Sequence, residues 1–219
     1  MELEGRRALV TGAGIGIGRA VAIELARQGA DVALSYHSSA EGARSAVSEI
    51  QALGRRAEAF QADLRCVDAC FALVDQANGW LGGLDILVNN AGRTDTTPFS
   101  LVSPEQFDDL MASNMRSQFF LAQRAASQMA AYRGVIINMA SVHALASMPS
   151  HTVYEATKGA IVAWTRSLAI ELAPLHIRVN AIAPGAIEVP RFYDRPDYTP
   201  ATMGAAIPWG HVGYPEQVA

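Results

Sequence analysis

The chain has 219 residues, half of them hydrophobic and 17% charged, with a net charge of −4 and a pI near 5.7. That length suits a single domain over residues 1–219 with a substantial core, and the acidic balance excludes the electrostatic footprint of a nucleic-acid binder. No apolar run approaches the roughly 18 residues of a membrane span, and MELEGRRALV lacks a signal peptide's apolar stretch, so a cytoplasmic protein with no membrane partner is expected.

Residues 7–11 (RALVT) read as a short strand that runs into a glycine cluster, Gly12, Gly14, Gly16 and Gly18. A helical period follows, with Ile17, Val21 and Leu25 on one face and Gly29 as its stop. Strand, glycine turn and helix in that order present backbone N–H groups and a helix N-terminus to phosphate. The glycines do not spell G-x-G-x-x-G, because Ile17 and Arg19 stand where the third would have to be. The pattern is T-G-x-x-x-G-x-G, and it lacks the G-K-[ST] ending of a nucleoside triphosphate loop.

Val32–Ser35 reads as a second strand. In dinucleotide folds an acid about 20 residues after the glycines binds the ribose 2′-hydroxyl. Eighteen residues after Gly18 stands Tyr36, followed by His37, Ser38 and Ser39. No carboxylate is there to repel a 2′-phosphate and no arginine to hold one, so either NADP or NAD fits, with a lean to NADP. Glu41–Leu53 is a helix closed by Gly54, and Ala57–Gln61 a strand. Asp63 follows just past it, placed either to cap the helix that begins around Val67 or to accept a hydrogen bond from an adenine amine. Cys66 and Cys70, the only cysteines, lie four apart with no histidine nearby. They do not make a metal site and are expected as buried thiols.

Leu84–Val88 is the next strand, ended by Asn89-Asn90-Ala91-Gly92, whose small residues allow a ligand close to the backbone. A long helix is expected from Pro104 to about Tyr132, with Ser103 as N-cap, Glu105 and Asp108 near its start, and Asn114 inside it among apolar residues. Val135–Met139 and Arg178–Ala183 are strands flanking a helix that Pro174 closes. That helix carries Tyr154 and Lys158, four apart and hence on one face. Lys158 is the only lysine beside sixteen arginines. An ammonium beside a phenol favours the phenolate, which makes Tyr154 a candidate proton donor or acceptor. Ser141, just beyond a strand, could hold a carbonyl oxygen for it.

Strand and helix thus alternate six times, the pattern of a parallel sheet with helices on both faces. The glycine turn, Asp63, the NNAG run, Ser141 and Pro184-Gly185 all follow strand C-termini. They share one edge of the sheet, where such folds bind ligands.

With these residues together the chain resembles the short-chain dehydrogenases/reductases, from residue 6 to its last residue. The resemblance rests on TGAGIGIG (11–18), Asp63-Leu64, NNAG (89–92), Asn114, Ser141, YEATK (154–158) and PGAI (184–187), with thirteen residues from Ser141 to Tyr154. Within the family it is similar to 3-oxoacyl-carrier-protein reductases and glucose dehydrogenases. The resemblance implies a doubly wound Rossmann fold, a nicotinamide cofactor, a small carbonyl or alcohol substrate and often a homotetramer. It implies cofactor contacts at Gly12, Gly14, Gly16, Ile17, Gly18, Tyr36, Asp63, Leu64, Asn90, Ala91, Gly92, Pro184, Gly185 and Ile187, as well as at Tyr154 and Lys158. In the implied chemistry Tyr154 exchanges the proton, Lys158 assists it and holds the ribose, Ser141 orients the substrate oxygen, and Asn114 anchors a water relay. No metal is implied.

Three departures accompany the resemblance. Val189 stands where the family commonly has a carboxamide-binding threonine, and Ile15 where NADP-preferring members often carry a basic residue. Relatives continue beyond YPEQVA with a helix and a last strand, so a chain lacking both is expected, with Pro215–Ala219 as the helix's first turn. Such a chain is expected to leave an uncovered sheet edge and to associate non-specifically, with little activity. The loop after Gly185 is expected over the substrate, where Phe192, Tyr193, Tyr198, Trp209, Arg191 and Arg195 either grip it or pack the loop. His143 and His151 flank the site, and His143 is a candidate substrate contact. A reading from a different class is a nucleotide-binding sensor or assembly partner without catalysis.

Overall fold

Runs such as ALV and ILV have no polar face to offer water, so they are stable only where both sides are covered. In the computed structural model, which describes residues 1–129, 133–193 and 198–219, they line up as parallel strands. Strands β1 (Arg7–Val10), β2 (Asp31–Tyr36), β3 (Ala57–Gln61), β4 (Ile86–Asn89), β5 (Val135–Met139) and β6 (Arg178–Ile182) form one sheet in the order β3-β2-β1-β4-β5-β6. Val10 pairs with Leu34 on one side and Val88 on the other, so the C-terminal ends of the central strands finish level. The order reverses between β1 and β4, and it is there that a doubly wound sheet opens a crevice.

Alternation along each strand splits the core in two. In β1, Ala8 and Val10 join Val32, Leu34, Ile23 and Ile50 under helices α1 (Gly16–Arg27) and α2 (Ala40–Ala52). Leu9 points the other way, to Leu73, Leu87, Leu121 and Ile136 beneath α3 (Val67–Leu81) and α5 (Ser117–Met129). Strand and helix limits otherwise differ from expectation by one or two residues, as ends usually do.

The helix expected from Pro104 to Tyr132 is instead two. Helix α4 (Pro104–Met111) passes into a π turn over Ala112–Arg116 before α5 begins. Tyr132 lies outside the described residues. Ser103 does cap α4, but its reciprocal partner is Gln106, not the acids: Gln106 N donates to Ser103 Oγ at 3.2 Å and Ser103 N to Gln106 Oε1 at 3.0 Å.

Helix α6 (Thr152–Leu172) connects β5 to β6, and Pro174 closes it through a 3₁₀ turn. Beyond β6 the chain loops out through α7 (Pro200–Gly204) and returns, with Gly213 exchanging backbone hydrogen bonds with Ala186 and Glu188. Pro215–Gln217 is a 3₁₀ turn lying against α1, not a turn of α-helix. Among the described residues the outer edge of β6 has no strand beside it, and Ile170 on the neighbouring helix is 76% exposed. No helix of the described residues is long and apolar enough to cross a membrane.

Candidate active site

At the end of β1 the backbone turns left-handed at Gly12, with φ +64°. A Cβ there would sit 2.9 Å from Ala91 Cα, and one on Gly14 under 3.0 Å from the Ser39 side chain and carbonyl. These glycines are therefore fixed by backbone crowding. Helix α1 then starts at Gly16 with Ile15 as N-cap and no side-chain hydrogen bond to the cap, so its terminal N–H groups keep their capacity to bind an anion. The NNAG run is stitched to this turn. Asn90 N and Ala91 N each donate to Thr11 Oγ1 at 3.0 Å, and Asn90 Nδ2 donates to Thr11 O and Gly12 O at 2.9 and 3.2 Å.

The end of β3 behaves differently from one of its two expectations. Asp63 does not cap α3, whose N-cap is Cys66 without a side-chain bond. Its carboxylate instead accepts from Arg65 Nε and Nη2 at 2.9 and 2.7 Å and from Arg65 N at 3.1 Å. The Arg65 hydrogen bonds hold that carboxyl down to about 2, against the opposing effect of burial. Arg65 also pairs with Asp109 at 3.0 Å, and Asp109 with Arg93. Cys66 is exposed, which corrects the expectation of two buried thiols. Cys70 is buried, donates to Leu64 O at 3.3 Å, and burial pushes its thiol up to about 12. Among the described residues no three His, Cys, Asp or Glu are grouped to hold a metal ion.

The other end of the cleft forms where β5 stops. Ser141 is buried, and its Oγ accepts from His143 N at 3.2 Å, leaving its own proton to donate elsewhere. Tyr154 sits in the first turn of α6 and Lys158 one turn later. Lys158 is only 5% exposed, and its ammonium donates to Met139 O at 2.8 Å and lies 5.6 Å from the centroid of the Tyr154 ring. Asn114, buried in the π turn, accepts from Arg93 N at 2.8 Å and donates to Arg93 O at 2.8 Å and Thr157 Oγ1 at 3.2 Å. It locks the loop after NNAG onto α6. A Cβ on Gly92 would meet Asn114 Oδ1 at 3.1 Å and Lys158 Nζ at 3.8 Å, so these groups converge on one point.

One cleft of about 500 Å³ joins the two ends, within the usual range for ligand sites. Gly12, Gly16, Ile17, Tyr36, Asp63, Leu64, Asn90, Ala91, Gly92, Ser141, Tyr154, Lys158, Pro184, Gly185 and Ile187 all reach its wall. Gly14, Gly18 and Asn114 lie behind it: Gly14 against Ser39, Gly18 against Asn90, and Asn114 behind Gly92. Val189 occupies the place expected for a threonine and packs over Gly16. Sequence reasoning missed the Arg65–Asp109–Arg93 chain. Its available signal was an arginine directly after each of two ligand-edge segments, DLR and NNAGR.

The loop aromatics divide. Phe192 lines the cleft and meets the Tyr198 ring at 5.2 Å with planes tilted 47°, while Trp209 is 80% exposed with the His211 ring 5.7 Å away. The Tyr193 hydroxyl bonds Glu188, which with burial raises it to about 12. Arg195 lies outside the described residues, as does the side chain of Arg191.

Comparison with known proteins gives the same picture. A family model described as short chain dehydrogenase matches residues 6–197. The chain is 40% identical over 190 residues to a versicolorin reductase of Emericella nidulans, covering 87% of this chain and 72% of that protein. It is also 40% identical over 188 residues to a hydroxynaphthalene reductase of Aspergillus fumigatus, covering 86% and 68%. Among solved structures, a short chain dehydrogenase from Burkholderia cenocepacia in complex with NADP superposes with a TM-score of 0.93 at 36% identity, over 100% of this chain and 89% of that one.

Proposed function

The chain belongs to the short-chain dehydrogenase/reductase family and is an oxidoreductase, and on that premise we propose that it moves a hydride between a nicotinamide dinucleotide and a secondary alcohol or its ketone. One observation supports this above the rest. The Ser141 hydroxyl, the Tyr154 phenol and the Lys158 ammonium share a single cleft with the glycine turn. The cleft fits a dinucleotide, because crowded glycines and an uncapped helix N-terminus suit a pyrophosphate at one end while an ammonium awaits ribose hydroxyls at the other.

A reduced nicotinamide held there would supply the hydride, two electrons and a proton, for the carbonyl carbon. Tyr154 gives its phenolic proton to the carbonyl oxygen, so the C=O bond becomes a C–H and an O–H. Ser141 donates to the same oxygen and fixes its place. Lys158, 5.6 Å from the ring centroid, supplies the positive charge that the phenolate needs. Asn114 holds the NNAG loop against α6, which keeps the cleft wall next to Lys158. Alcohol oxidation runs the same transfers in reverse.

We place NADP ahead of NAD. The end of β2 offers Tyr36, His37 and two serines with no acid, and Arg65 neutralises the nearby Asp63. The NADP complex of the Burkholderia relative supports the same choice. Asp63 keeps lone pairs for an adenine amine beside its arginine. For substrate, two fungal relatives named as reductases of versicolorin and of hydroxynaphthalene put compounds of those kinds first, and the sequence resemblance adds 3-oxoacyl esters and sugars. Assembly as a homo-oligomer belongs to the same proposal.

The test is purified protein with NADPH or NADH and a panel of such carbonyl compounds, followed by absorbance of the reduced cofactor. Tyr154→Phe should keep cofactor binding and lose about 100- to 10,000-fold in turnover. Cofactor binding without turnover of any panel member would favour the non-catalytic sensor instead.

A further inference from the structure

The end of β2 is where a doubly wound sheet meets the adenosine ribose. Here Tyr36, His37, Ser38 and Ser39 line the cleft with no arginine or lysine among them. A phosphate on the ribose 2′ oxygen would bring about two negative charges to that spot. The loop after the neighbouring strand carries a guanidinium.

Strand β3 pairs with β2 as far as Tyr36 and Gln61, so the loops beyond them leave the sheet side by side. Two bonds tie these loops together. Ala62 N donates to Tyr36 O at 2.9 Å, and Gln61 Nε2 donates to His37 O at 3.0 Å. Arg65 lies just beyond, and its side chain lines the cleft with His37. Asp63 Oδ2 faces Arg65 Nη2 at 2.7 Å and His37 Nε2 at 3.9 Å, so guanidinium and imidazole are neighbours at one carboxylate oxygen. Among the described residues the cleft's other arginine and lysine belong elsewhere. Lys158 stands beside Tyr154, and Arg93 follows β4, which β1 separates from β2.

Arg65 is held in place by the protein itself. Its N donates to Asp63 Oδ1 at 3.1 Å, and its O accepts from Arg116 Nη2 at 2.8 Å. In the side chain, Nε and Nη2 donate to Asp63, and Nη1 donates to Asp109 Oδ1 at 3.0 Å. A guanidinium carries five N–H groups. Among the described residues these bonds use three of them, which leaves one on each terminal nitrogen. An anion taken there breaks no bond already made, and the side chain has little freedom left to lose. Arginine also stays charged and offers phosphate a planar donor set. Asp109 pairs with Arg93 as well, so two carboxylates face two guanidiniums and no net negative charge repels the group.

We propose that Arg65 is a specificity-determining residue for the cofactor: from the loop after β3 it donates to the 2′-phosphate of NADP, and so sets the choice of NADP over NAD. The inference rests on the oxidoreductase reading and deepens its cofactor choice. The Arg65 side chain is 47% exposed, so water weakens the pair. The preference it confers is about ten-fold, the lower end for a hydrogen bond to a charged group.

The test is calorimetric titration of NADP⁺ and of NAD⁺ into the full chain, read as the ratio of the two Kd values. The cofactors differ only in the phosphate, so changes at the adenine or the ribose cancel in that ratio. The wild-type protein should favour NADP⁺ about ten-fold, and Arg65→Ala should bring the ratio to one or below. That variant also bares Asp63, whose charge would itself repel a phosphate. Asp63→Asn/Arg65→Ala removes both charges and separates the two causes, and its ratio should stay near one. Recovery of the preference in the double variant would mean that Arg65 merely screens Asp63, which overturns the proposal. A preference that survives in Arg65→Ala overturns it too. Where Arg65→Ala does not fold, Arg65→Met keeps the stem of the side chain and is read in the same way. A wild-type ratio near one, with both cofactors bound, overturns the proposal and leaves the oxidoreductase reading standing. Protein that binds neither cofactor overturns both.

Discussion

The glycine turn and the described residues that follow Gly185, 186–193 and 198–213, bound the same cavity by opposite means. The turn uses backbone. Gly12, Gly14 and Gly18 have neighbours where a Cβ would go, and Thr11 and Asn90 bolt the two loops together. The residues after Gly185 use side chains, Val189 and Phe192 facing inward while Tyr193 and Trp209 stay 60% and 80% exposed. Backbone recognition admits one residue type and so writes itself into the sequence. Side-chain recognition admits many, and leaves only a composition.

The largest test of this contrast lies where the two regions meet. Lys158→Ala removes the ammonium and its 2.8 Å hydrogen bond to Met139 O, which keeps a weak contact from Gln118 Nε2 at 3.5 Å. Turnover should fall about 100- to 1,000-fold, as for loss of one electrostatic donor, and the cofactor Kd should rise. An unchanged Kd in a fluorescence titration would remove the ribose role.

A matched pair then compares the regions directly. Gly14→Ala should destabilise by about 1–3 kcal/mol, the usual effect of overpacking, and weaken cofactor binding with it. Trp209→Ala should move stability by less than about 0.5 kcal/mol. Equal losses of Tm in the two variants would break the comparison.

Much of the architecture was legible because each element had a local cause. Apolar runs gave the strands, periodic residues the helices, and Tyr154 with Lys158 a shared helix face. The π turn at Ala112–Arg116 was not legible, since its extra residue per turn leaves the hydrophobic pattern nearly unchanged over five residues. Nor was the ionic chain from Asp63 through Arg65 and Asp109 to Arg93, which joins three segments that only the folded sheet brings together. The exposure of Cys66 was hidden for a similar reason, because it lies at a helix cap and not on a helix face.

Two smaller tests sharpen the adenosine corner. Tyr36→Asp should shift preference from NADPH toward NADH roughly ten-fold, equivalent to about 1.4 kcal/mol, by setting an acid against the 2′-phosphate. A wild-type protein that already prefers NADH widely would show that His37 and the serines hold no phosphate. The smallest effect concerns acid. Asp63 titrates at about 2 in the folded protein, below its unfolded value near 3.9. Its contribution to stability is present above about pH 4 and is lost as pH falls through 2. With the side chain 41% exposed the contribution is slight. Asp63→Asn should flatten the acid limb of Tm against pH between about 5 and 2, and an unchanged limb would show the Arg65 pair to be energetically silent.

The single lysine has a consequence outside catalysis. Acylating reagents attack an amine only when it is accessible and deprotonated, and Lys158 is buried with its ammonium bonded to Met139 O. A reagent therefore reaches that side chain only through the cleft it lines, and the labelling rate reports how often the cleft stands empty. One residue thus serves as a chemical probe of cleft occupancy, and any acetyl mark on it records that the cleft had been vacant.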